Sequence, residues 1–146
     1  MKNIILSSIA ILASLYLQAQ EYKIVTTVES IVPMGIGRSR MVEQKTPINV
    51  DEFTTERTSG KDSKQSQINR KDAKIDAFAE TKLLNFYSGV GINFQNIASN
   101  DALIASKINK LAKEGWKLIF VAAGVESKGS KDDNAGIFIT RYVFQR

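Results

Sequence analysis

The chain has 146 residues, with 20 Lys and Arg against 15 Asp and Glu, and it contains neither histidine nor cysteine. The commonest general base, proton shuttle and imidazole ligand is therefore missing, as are disulfides, thiol nucleophiles and any lipid-modified cysteine. Zinc sites of the usual composition and Ser-His or Cys-His catalysis are excluded with them, so neither a cofactor nor a metal is expected.

Lys2, the apolar run from Ile4 to Leu17 and the small residue Ala19 before Gln20 predict a signal peptide over residues 1–19. The run is too short and too rich in serine to span a bilayer, so no membrane span is expected after cleavage, and the product is expected in the periplasm or outside the cell. About 127 residues remain, room for a single domain over 20–146. Once Lys2 is left out, 19 basic residues face 15 acidic ones. They are scattered among acids rather than gathered in a stripe with interleaved aromatics, so nucleic acid is not an expected partner.

Along the chain, Tyr22 to Val32 alternates as a strand, with Tyr22, Ile24, Thr26 and Val28 on one face. Pro33, Gly35 and Gly37 predict a turn, and Arg38 to Glu43 a returning strand. From about 54 to 73 only Ile68 is strongly apolar, which predicts a mobile polar loop inserted in the domain. Lys74 to Ile97 supports two readings. Ile75, Phe78, Ala79, Leu83 and Phe86 fit a helical face, whereas Leu84, Phe86, Ile92 and Phe94 flank Gly89, Val90 and Gly91 as a hairpin would. The glycines and aromatics favour a hairpin from about Lys82 to Gln95, preceded by a helical turn.

Next comes a helix, with Asn100 or Ser99 as N-cap, Asp101 in the first turn, and Leu103, Ile104, Ile108, Leu111 and Ala112 on one apolar face. Lys110 and Lys113 sit near its far end, where positive charge is favoured. Gly115 is expected in the left-handed conformation that ends the helix, with Trp116 folding back on Leu111. Leu118 to Ala123 is apolar on both sides and predicts a central strand. A polar loop from Glu126 to Ala135 leads to a last strand, Ile137 to Phe144, with Phe138, Tyr142 and Phe144 on one face. The sum is an α+β fold: a mainly antiparallel sheet with one principal helix on one face, plus the polar insertion.

The strand around Tyr22, Lys23, Ile24 and Val25, the junction Lys113, Glu114, Gly115, Trp116, Lys117, Leu118, and the ending Tyr142, Val143, Phe144, Gln145, Arg146 resemble a widespread family of short bacterial domains of unknown function. Typical members run from a Tyr-Lys-Val-Val strand through a helix to Glu-Gly-Trp-Glu-Leu, and finish in Phe-Lys-Arg. This chain differs at Lys117, at Gln145 and in the long insertion, and is most similar to an exported subgroup that carries such an insertion. The resemblance covers about half of the mature chain. It implies the fold and export, and no catalytic residue.

The remaining chemistry rests on Asp, Glu, Lys, Tyr and Ser. Asp51, Glu52 and Glu56 can be read as an acidic cluster or as a solvated charged segment. Gly35, Ile36, Gly37, Arg38, Ser39 and Arg40 offer glycine-freed amides beside two arginines, so Arg38 and Arg40 are candidates for holding an anion or a partner; the simpler reading is a turn with two exposed arginines. Asp132, Asp133, Asn134 and Gly136 open like a calcium loop, but Tyr142 stands where the closing carboxylate belongs. Phe86, Tyr87 and Phe94 are read as core or as a contact surface. The expectation is an exported, non-enzymatic binding or structural module whose partner is an envelope protein or a second copy. The alternative is a carboxylate-type hydrolase acting on a glycan or other envelope polymer.

Overall fold

The computed structural model describes residues 20–31, 38–61, 63–126 and 136–146. The predicted leader, the turn at 33–37 and the calcium-like residues Asp132 to Asn134 lie outside the described residues. Strands β1 (Tyr22–Ser30), β2 (Arg40–Gln44) and β3 (Phe78–Lys82) come first, then a minimal ribbon of β4 (Tyr87–Ser88) and β5 (Gly91–Ile92). Helix α1 (Phe94–Lys113) follows, and β6 (Lys117–Glu126) and β7 (Ile137–Gln145) end the chain. The main sheet has the order β3-β2-β1-β7-β6, and every pairing in it is antiparallel. With α1 packed against this sheet, the fold is α+β as expected.

The first and last strands form the spine. β1 and β7 pair along their whole length, from Tyr22 opposite Gln145 to Ser30 opposite Ile137. Reciprocal backbone bonds of 3.0 Å between Glu21 and Arg146 extend the ladder at one end. At the other, the Ile31 N–H donates to the Gly136 carbonyl, and the Ile31 side chain fills the space that a β-carbon at Gly136 would need.

Tyr22, Ile24, Thr26 and Val28 share a face, but it is the one turned away from the helix. The side under α1 holds Lys23, Val25, Thr27 and Glu29, and the core gathers there: Val25, Met41, Leu83, Leu111, Trp116 and Phe144, flanked by Ile104, Ile108, Leu118 and Tyr142. On α1 the inward positions are Ile104, Ile108 and Leu111, spaced four and three apart as one helical face requires. Leu103 and Ala112, predicted on that face, are exposed.

Three local predictions are corrected. The stretch before Lys82, read as a helical turn, is strand β3, which pairs with β2 from Arg40 opposite Lys82 to Gln44 opposite Phe78. The hairpin expected over Lys82 to Gln95 shrinks to the two-residue strands β4 and β5, and the helix starts at Phe94, capped by Asn93, whose Oδ1 accepts from the Asn96 N–H at 3.1 Å. Asn100 and Asp101 are thus inside the helix. Finally, β6 is not central but lies at the edge of the sheet, and only Leu118 among its residues escapes exposure. Apolarity on both faces suggested cover on both sides, but β7 takes the place beside β1 through its full-length pairing.

Between β2 and β3 the described residues form two short 3-10 turns, Val50–Phe53 and Gln65–Gln67, and no strand. Asn49 caps the first, accepting from the Asp51 N–H at 3.1 Å.

The helix exit follows the sequence reading. Gly115 has φ +88°, its N–H donates to Ala112 O at 3.1 Å, and the Trp116 N–H reaches back to Leu111 O at 3.0 Å. This double closure satisfies the last carbonyls of α1 and drops Trp116, 8 % exposed, beside Leu111 in the core. Trp116→Ala is expected to lower unfolding free energy by about 3 to 5 kcal/mol. Gly115→Ala, whose new methyl would meet nothing closer than Arg146 Cδ at 3.7 Å, is expected to cost about 1 kcal/mol from backbone strain alone. Urea denaturation of the two variants checks both values.

Candidate functional site

Alternation on β2 turns Met41 and Glu43 toward the helix, so an acid enters the core side of the sheet. Glu43 is 4 % exposed and is met by three lysines: Lys107 Nζ from α1 at 2.5 Å, Lys23 Nζ from β1 at 3.1 Å, and Lys45 Nζ just past β2 at 3.6 Å. Burial pushes this carboxyl up, but the hydrogen bonds and charges of Lys107 and Lys23 together outweigh it and hold the group down at about 2. At neutral pH Glu43 is a fixed anion and not a proton donor.

Lys23 also links this cluster to the helix exit. Its Nζ lies 5.1 Å from the centre of a Trp116 ring, and Arg146 Cζ lies 4.6 Å from it. Arg146 in turn pairs with Glu21. Beside these groups the sheet end carries an open hollow of about 560 Å³, lined in part by Tyr22, Lys23, Lys45, Pro47 and Trp116. The three lysines outnumber their carboxylate, so this end presents positive charge beside an indole wall.

A second polar cluster joins the other end of β1 to α1. Asn100, fully buried, accepts from the Leu84 N–H and donates to the Leu84 carbonyl, both at 2.8 Å, and donates to Glu29 Oε1 at 2.8 Å. Its amide works as a rung of backbone ladder between the helix and the segment after β3. Burial raises the Glu29 carboxyl, the Asn100 hydrogen bond opposes this, and the nearby Asp101 charge adds to the rise. Burial also raises the Tyr142 phenol on the same face. Next to them the Ser39 hydroxyl accepts from the Ser30 N–H at 2.9 Å and donates to Asn85 Oδ1 at 2.5 Å.

The sequence-derived candidates fall out as follows. Arg40 is on the outer side of β2 and pairs with Glu80 Oε2 of β3 at 2.5 Å, while Arg38 is exposed just before the strand. Ser39, between them, is 1 % exposed and faces the interior, so the three residues do not converge on one ligand. Asp51 and Glu52 occupy an exposed 3-10 turn, and Glu56 is exposed further on. Phe86 packs against Phe138 with ring centres 5.6 Å apart, whereas Phe94 stands out in solvent. Among the described residues there is no group of three or more acidic side chains placed to hold a metal.

Sequence reasoning missed Glu43 and Asn100. An acid at an inward-facing strand position was a readable signal for Glu43, had the face of β1 been known. Asn100 is one of four asparagines between Asn85 and Asn100, and only the fold distinguishes the cap from the buried clasp. No known protein family, no curated protein and no solved structure matches this chain.

Two outcomes are expected of these clusters. Asn100→Ala removes, at a fully buried position, the hydrogen bonds to the Leu84 N–H and carbonyl and to Glu29, and is expected to cost on the order of 3 kcal/mol in urea denaturation. Glu43 titrates near 4.5 when unfolded and at about 2 when folded, so its contribution is complete above the unfolded value and disappears as pH falls toward 2. Wild type is expected to exceed Glu43→Gln by roughly 2 to 3 kcal/mol at pH 7, and the gap is expected to close between about pH 5 and pH 2 when the urea midpoints are followed with pH.

Proposed function

We propose that the protein is an exported, non-enzymatic module that works by docking, with the β6 edge of its sheet as the contact, and that it is related to the short domain family whose junction it resembles. The observation that carries this reading is β6 itself: ten residues long, apolar on both faces, exposed, and without a neighbouring strand on its outer side among the described residues. Natural edges of this length and character are usually shortened, charged or covered, unless they are used. No helix among the described residues is long and apolar enough to cross a membrane. The leader-like first residues support export to the envelope or beyond.

The alternative, a carboxylate-type hydrolase, draws on Glu29, whose raised carboxyl is the kind of group a general acid requires. Its weakness is the second acid. Glu43 pairs with Val25, four residues from Glu29 along β1, so the backbones of the two acids are about 13 Å apart along the strand direction at ~3.3 Å per residue, and the Glu43 carboxylate is turned to Lys107 and Lys23.

The protein recovered from periplasm or medium is expected to begin at Gln20 by mass spectrometry; retention of residues 1–19 in the cell interior would remove the export reading. Incubation with envelope polysaccharide is expected to release no reducing ends. Release that Glu29→Gln abolishes would replace docking with hydrolysis.

A further inference from the structure

The pairing of β6 with β7 contains one irregularity. Lys117 and Leu118 oppose Gln145 and Phe144, then Ile119 is skipped as a bulge, and Phe120 to Glu126 oppose Val143 to Ile137 in unbroken register. Directly opposed residues share a face, so the bulge resets the alternation. Leu118, Val121, Ala123 and Val125 go with Phe144, Tyr142, Thr140 and Phe138 on the helix side. Lys117, Phe120, Ala122, Gly124 and Glu126 are on the outer side. Without the bulge, Lys117 and Glu126 would be on opposite faces; with it, they share one.

This arrangement makes the strand complementary to itself. Two copies of an edge strand that join one continuous sheet in antiparallel sense are related by a two-fold axis perpendicular to the sheet, and each residue keeps its face. Of the nine laddered residues of β6, Ala122 is the middle one. An axis at Ala122 sets Lys117 against Glu126 of the second copy, Leu118 against Val125, Phe120 against Gly124, Val121 against Ala123, and Ala122 against itself. Every pair shares a face. Opposite charges meet at both ends, each larger side chain in the middle meets a smaller one, and the phenylalanine covers the glycine. A shift of the axis leaves at least one terminal lysine without its glutamate.

We propose that β6 binds a second copy of this chain through the register centred on Ala122, joining two five-stranded sheets into one with both α1 helices on the same side. This rests on reading β6 as the docking edge and names its partner. The opposite edge supports the assignment. β3 has only five residues and carries Glu80 and Lys82, with Glu80 paired to Arg40, which is how a sheet edge is kept from pairing. β6 has no charge between its terminal Lys117 and Glu126, and Phe120 and Val125 are 61 % and 62 % exposed. Pairing two copies sets these side chains against one another along the seam on both faces and gives the strand's outward N–H and C=O groups their ladder partners.

Sedimentation equilibrium of the purified protein is expected to give a dimer at micromolar concentration, with Val121→Lys monomeric and unchanged in circular dichroism. Lys117→Glu sets like charges together at both ends and is expected to weaken the dimer about ten-fold, and the swapped double variant Lys117→Glu/Glu126→Lys is expected to recover it. The chain has no cysteine, so Ala122→Cys reports cleanly. Its two copies meet at about 4.5 to 5.5 Å between α-carbons, within disulfide range, and it is expected to cross-link on mild oxidation, whereas Ala105→Cys on the exposed side of α1 is not. A wild-type monomer at every concentration, or a dimer indifferent to Val121→Lys, overturns the self-pairing. A monomer that isolated envelopes still retain, with retention lost in Val121→Lys, overturns the self-pairing alone and leaves β6 as a docking edge for another protein. A monomer with no such retention removes both readings.

Discussion

The reversal at Gly115 is the constraint from which the remaining structure follows. A helix of twenty residues is about 30 Å long, and it lies on its own sheet only if the chain turns back at its end with no spare linker. The left-handed glycine makes that turn within one residue, and the two backbone bonds that close it satisfy carbonyls that would otherwise be left beside the core. Trp116 is brought under Leu111 at the moment the chain enters β6. The same indole then receives Lys23 from β1 and Arg146 from the end of the chain, so one side chain joins the helix to both strands of the β1–β7 pair at the same end. The start of β6 is fixed by this contact, and with it the register in which β6 meets β7.

Two polar clusters refine what the apolar core leaves open. Burying apolar surface favours α1 on the sheet but discriminates weakly between small rotations and slides of the helix. Glu43 with Lys107, and Asn100 with Leu84 and Glu29, act as two pins that tolerate no slide, because a displaced helix would leave a buried charge or buried amide groups unpartnered. The pins engage α1 at Asn100 and Lys107, almost two turns apart, and tie it to β1, β2 and the segment after β3. What this rigidity supports is the far side of the sheet, where β6 extends beyond the cover of the helix.

The two edges of the sheet are built differently, and the difference lies in the side chains. β3 is short and charged, and its Glu80 spends its charge on Arg40, the arginine that looked available for an anion. β6 is twice as long and apolar, and its single bulge places its two terminal charges on one face. A strand so composed is an aggregation hazard unless something occupies it, and its symmetry about Ala122 gives that occupant a specific form.

The helix exit, the antiparallel α+β character and the first and last strands were legible in the sequence, because each depends on local chemistry: glycine's access to positive φ, the spacing of Ile104, Ile108 and Leu111, and the β-branched content of Tyr22 to Ser30. What the sequence left ambiguous was non-local. Asn93, Asn96, Ser99 and Asn100 all have side chains able to cap a helix, and only the contact with Leu84 and Glu29 removes Asn100 from that role. Phe78 to Lys82 became a strand because β2 offered it a ladder. The alternation of β1 was plain, but which of its faces would be buried depended on where α1 came to rest, and so Glu43 could not be recognised as a buried charge. The apolar composition of β6 was equally plain, yet strand order is decided by competition for partners across the whole sheet. β7 gained β1 along nine residues, and a strand that local pattern placed in the centre was left at the edge.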